Sequence, residues 1–96
     1  MAPVVGSQEE LVEARRHHLA ALAYELEARG LACRMLGAGE SVLRVASPVT
    51  GRNVMILATA SAAGWSYLWS GGGMADAAAP AVAADQIARL LGRATA

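Results

Sequence analysis

Asn53-Val54-Met55-Ile56-Leu57-Ala58, a loop over 59–63, and Gly64-Trp65-Ser66-Tyr67-Leu68-Trp69-Ser70 carry the reading of the fold. The first run is apolar from Val54 to Ala58, shorter than a helix needs and bounded by turn residues, which marks a strand. The second alternates with a period of two, as the two faces of a strand require. No charge falls between positions 53 and 75, a length that would cross a bilayer as a helix of about 20 residues. Thr59, Ser61, Ser66, Ser70 and the glycines dilute that stretch, and its alternation is the wrong period for a membrane helix. The expectation is a buried β-hairpin, followed by Gly71-Gly72-Gly73 as a flexible connector.

Upstream, residues 31–36 and 41–46 are two further short runs around Gly37-Ala38-Gly39-Glu40, a hairpin signal. Residues 47–52 read as a turn punctuated by Pro48 and Gly51. Before them a helix is expected over 8–29. Ser7-Gln8-Glu9-Glu10 forms a capping box at its start, and Val12, Leu19, Leu22, Ala23 and Leu26 recur at helical spacing. Glu25 and Arg29 pair at i,i+4, and Gly30 suits the left-handed position that ends a helix. Downstream, a second helix begins between Asp76, a candidate N-cap, and Pro80, which fits a first turn. Val82, Ile87, Leu90 and Leu91 are its expected apolar face, with Asp85 and Arg89 at i,i+4 and Gly92 as its stop. The fold class is therefore α+β: a two-layer sandwich in the order α-β-β-β-β-α, an antiparallel four-stranded meander with two helices on one face. Residues 7–92 make one domain, and 1–6 and 93–96 read as flexible tails.

Two helices cover one face of a small sheet, and the other face must be polar or partnered. With Arg34 and Arg44 turned outward, Cys33, Met35, Leu43 and Val45 face the helices. The run 53–58 is apolar on both sides, Val54/Ile56/Ala58 and Met55/Leu57, a pattern that goes with burial on both faces. The open face then presents Leu36, Val42, an apolar row from that strand and two arginines, and an exposed apolar patch of this kind marks an interface. Trp65, Tyr67 and Trp69 share one side of their strand. Turned inward, they supply bulk to a core without Phe; turned outward beside the arginines, they are anchors of the types enriched at binding hot spots. The interface candidates are Arg34, Leu36, Arg44, Met55, Trp65, Tyr67 and Trp69.

Signs of catalysis are weak. His17 and His18 are neighbours on a helix, so their side chains diverge by about 100° and do not clasp one metal. Cys33 lacks a C-x-x-C partner and reads as a small buried hydrophobe. Gly37-Ala38-Gly39 joins two strands, and Gly71-Gly72-Gly73 is followed by no G-K-[ST], so neither cradles a phosphate. No acid, base and nucleophile come together. The expectation is a non-catalytic binding or accessory protein without cofactor or metal, acting through its open sheet face on a second copy or another protein. The alternative is a small-molecule-binding protein or minor enzyme of specialised metabolism, with a pocket between the first helix and the sheet lined by His18, Tyr24 and Trp65.

Eight arginines and no lysine balance eight acidic residues, so no global field draws the chain to nucleic acid or to an anionic membrane. One cysteine excludes an internal disulfide framework and suits a reducing cytoplasm. The element order invites comparison with double-stranded RNA-binding domains, which grip phosphates with a basic start to their last helix. Here that start, Ala77-Ala78-Ala79-Pro80-Ala81-Val82, carries no cation. The runs L-R-V-A-S-P-V-T-G-R-N-V from Leu43, G-W-S-Y-L-W-S-G-G from Gly64 and A-A-D-Q-I-A-R-L-L-G from Ala83 give residues 42–92 a pattern that resembles small uncharacterised actinobacterial α/β proteins. That resemblance implies no activity for any residue.

Overall fold

Along the chain run α1 (Gln8–Glu27), β1 (Ala32–Leu36), β2 (Val42–Ala46), β3 (Asn53–Ser61), β4 (Gly64–Trp69), β5 (Gly73–Asp76) and α2 (Pro80–Leu91). They belong to a computed structural model that describes residues 8–92. Ser7 with its half of the capping box, and both terminal segments 1–6 and 93–96, lie outside the described residues. The strands pair in chain order and every pair is antiparallel. The architecture is thus α+β, with five strands where four were expected.

The additional strand begins inside the triple glycine. Gly71 and Gly72 take positive φ in the β4–β5 turn, but Gly73 is the first residue of β5 and lies opposite Trp69. Residues 73–76 contain no β-branched residue, so their own strand propensity is low. Their place is fixed across the ladder, where the Trp69 indole covers Gly73 and Leu68 lies opposite Met74. Asp76 ends this strand and does not cap α2. Its carboxylate accepts the Ala78 amide at 2.8 Å, and the N-cap position of α2 is Ala79, ahead of Pro80.

At the end of α1, the amide of Leu31 donates to the Leu26 carbonyl and that of Gly30 to Glu27, with Gly30 at φ 85°. This double bond pattern closes a helix with glycine at its left-handed position and brings the flanking apolar residues together; Leu26 and Leu31 are both buried. The core lies on one face of the sheet. Leu43, Val45, Val54, Ile56, Ala58 and Tyr67 from the strands meet Leu19, Leu22 and Leu26 of α1. From α2 come Ala83, Ala84, Ile87, Ala88 and Leu91. Val82 and Leu90, read above as part of that helix's inner face, are instead exposed. The alanines take the inner positions, where a small side chain lets α2 lie close against α1.

Two polar links hold the elements together, the first between the two helices and the second between the sheet and α2. Arg29 donates from Nε to Asp85 of α2 at 2.9 Å and from Nη1 to Glu25 at 3.0 Å. The 47–52 turn is built on buried Ser47, whose hydroxyl accepts the amides of Val49 and Thr50. From that turn Thr50 Oγ1 donates to the Leu91 carbonyl at 2.7 Å and Arg52 to the Leu90 carbonyl at 3.3 Å. The last carbonyls of α2, which no intrahelical amide can reach, are satisfied in this way. No helix among the described residues is long and apolar enough to cross a membrane.

Candidate interaction surface

The register places three parallel rows across the sheet face away from the helices. The central row is Leu36, Val42, Leu57, Leu68 and Met74, one residue from each strand, each directly opposite the next. On one side lie Arg34, Arg44 and Met55, and on the other Thr59, Ser66 and Asp76. Met55, Leu57 and Met74 are 45%, 47% and 64% exposed, while Leu36, Val42 and Leu68 are half-buried by their neighbours. A five-residue apolar band with no cover among the described residues is the main feature of this surface. Such bands are uncommon on chains that act alone.

Arg34, Leu36, Arg44 and Met55, four of the expected interface residues, thus share this open face. The other three do not. Tyr67 is fully buried, and Trp65 and Trp69 are half-buried against the core on the helix side. The aromatics turn inward because period two leaves one choice for the whole strand, and the inner face needs the larger volume. Leu68, between Tyr67 and Trp69, is thereby forced outward. Sequence reasoning passed over it although the alternation contained it. Met74 and Asp76 escaped because no strand was expected there: the triple glycine was read as a connector and Asp76 as a candidate N-cap.

The inward aromatics have structural partners. The Tyr67 hydroxyl donates to the His18 carbonyl at 2.7 Å, and burial pushes its pKa up to about 12. Trp65 lies 5.1 Å from the His18 ring between centroids, with the Arg15 guanidinium 5.9 Å from its own ring centre. Burial, and then the neighbouring His17, lower the pKa of His18 below 6.5, which favours the neutral imidazole. Of the alternative pocket residues, His18 and Trp65 meet. Tyr24 stands apart, 74% exposed, at the edge of a depression of about 230 Å³ beside Cys33, Met35 and Leu43. Six residues along α1 turn Tyr24 well away from His18.

Cys33 sits under α1 with its thiol 3.9 Å from the Ala23 carbonyl. Burial, and secondarily Glu27, push its pKa up to about 12, the opposite of what an activated nucleophile needs. Among the described residues no three His, Cys, Asp or Glu side chains gather as metal ligands do. Comparison with protein-family models, curated proteins and solved structures finds no match to this chain.

Proposed function

We propose that this is a binding protein whose contact surface is the open sheet face, and that it acts by holding a protein surface against the central apolar row. One observation carries the reading: a row of five apolar side chains crosses all five strands, and two of them, Leu57 and Met74, with Met55 beside the row, are about half or more in solvent. Covering them gains about 25 cal/mol for each Å² of apolar surface removed from water. The flanking rows, basic on one side and polar to acidic on the other, supply the polar rim that surrounds the apolar centre of an interface.

Methionine oxidation tests this, because a thioether is oxidised only where peroxide reaches it. In fresh, concentrated extract of the source cells, Met55 and Met74 should oxidise severalfold more slowly than in the purified, diluted protein. Half-buried Met35, on the inner face, serves as the control and should not change. Equal rates for Met55 and Met74 in the two samples would remove the reading.

A further inference from the structure

Arg34 and Arg44 are direct cross-strand partners and both are exposed. Among the described residues neither guanidinium has a carboxylate within ion-pair distance. Like charges set opposite each other weaken a strand pair, so this corner of the sheet calls for an acid from outside. Small residues beside it, Ala32 and Ala46, leave room in a depression of about 320 Å³ that both arginines line. The acid on the same face is Asp76, at the diagonally opposite corner, the far end of the far edge strand. One of its oxygens holds the Ala78 amide, and the other remains for a partner.

We infer that the face closes on a second copy of this chain, about a two-fold axis near Leu57 that sets each copy's Arg34–Arg44 pair over the other's Asp76. The inference rests on the open face being the contact surface and adds what occupies it. A two-fold contact is self-complementary: whatever one corner offers, the same chain must accept at another. Two charges of opposite sign at opposite corners, with an apolar row through the centre, meet that condition, whereas an arginine corner alone would suit any acidic protein. From ordinary strand spacing and rise, bringing the corners together makes the two sets of strands cross at roughly 75°, near the orthogonal class of sheet packing. A face of five short strands covers about 24 by 17 Å, roughly 400 Å² in plan, so the contact belongs with the small interfaces that associate weakly. A formal net charge of zero adds no repulsion between copies.

The test is sedimentation equilibrium on the full chain, as purified, up to about 0.2 mM, a range that captures weak self-association. Circular dichroism of every variant confirms that it folds, which is expected because each substituted side chain is exposed. Wild type should be dimeric. Arg34→Asp/Arg44→Asp and Asp76→Arg should each weaken association about tenfold or more, since each sets like charges face to face. Mixed in equal amounts, these two defective proteins should dimerise with each other, because both contacts of the mixed pair are then of opposite sign. Combining all three substitutions in one chain should likewise restore the dimer. A wild type that stays monomeric overturns the second copy as occupant and leaves the contact face itself to the methionine test. If Leu57→Asp breaks the dimer while the charge variants and their mixture do nothing, the diagonal pairing is wrong and the face is right. A dimer that survives Leu57→Asp as well overturns both.

Discussion

A methyl group at Gly73 would overlap the indole of Trp69, so this glycine is held by a neighbour's bulk and not by a turn. Gly73→Ala must displace Trp69 or bend β5, with an expected cost of about 1–3 kcal/mol, as for other overpacked sites. A denaturant titration followed by tryptophan emission checks it, and an unchanged midpoint would show that the indole moves freely. Tyr67 is a second test at this scale. Tyr67→Phe keeps the ring and removes only its bond to the His18 carbonyl, an expected loss of about 1 kcal/mol. His18 itself should make stability depend on pH. Its folded-state pKa lies below 6.5 because burial penalises the charged ring. Between those two values the unfolded chain binds more protons than the folded one, so stability is full above about pH 6.5 and falls as the pH drops toward the lowered value. The unfolding midpoint of the wild type should therefore decline more between pH 7.5 and pH 5.5 than that of His18→Gln, and equal declines would contradict it.

At the scale of elements, what was legible depended on whether a segment's order comes from its own residues. α1 declares itself: the leucine spacing, the Glu25–Arg29 pair and Gly30 all act within 25 residues, and the helix closes as those residues dictate. β1, β2, β4 and the part of β3 up to Ala58 declare themselves through apolar runs and alternation, whereas residues 59–61, read above as loop, continue β3 by pairing with β4. Arg34 and Arg44 fix which side of β1 and β2 is open. β5 is different, because Gly-Met-Ala-Asp has no strand signal and is ordered by Trp69 and Leu68 across the ladder. Most of the candidate surface followed from the alternation, and its part on β5, Met74 and Asp76, required knowing that partner. The inner side of α2 was misread for a related reason. Val82 and Leu90 are the more apolar side chains, but close helix packing selects the alanines. The end of α2 depends on contact distant in sequence too, through Thr50 and Arg52. Thr50→Val keeps the shape and removes the hydroxyl that serves Leu91, for an expected loss of about 1 kcal/mol. Amide exchange should speed up in the last turn of α2 more than in α1, and uniform acceleration of both would mean that the hydroxyl does not hold that end.

For the molecule as a whole, the sandwich has only two layers, and the second face of its sheet carries three of the large apolar side chains left in solvent, Met55, Leu57 and Met74. In a chain this small the buried fraction of surface is low and stability correspondingly modest. Closing the open face on a second copy would therefore couple folding to concentration. For a folded dimer that dissociates on unfolding, each tenfold rise in concentration adds about 1.4 kcal/mol per dimer, shared between two chains. For a domain of this length that corresponds to a rise in melting temperature of roughly 3–6 °C per tenfold. Leu57→Asp should abolish the dependence, and its melting temperature should lie closest to that of wild type at the lowest concentration, where it loses only its packing on Val42 and Leu68 across the ladder. The comparison separates two roles for the same side chain. If Leu57 only packed within its own sheet, the variant would melt lower by the same amount at every concentration. If it also packs on another copy, the gap between the two melting temperatures narrows on dilution and widens as concentration rises.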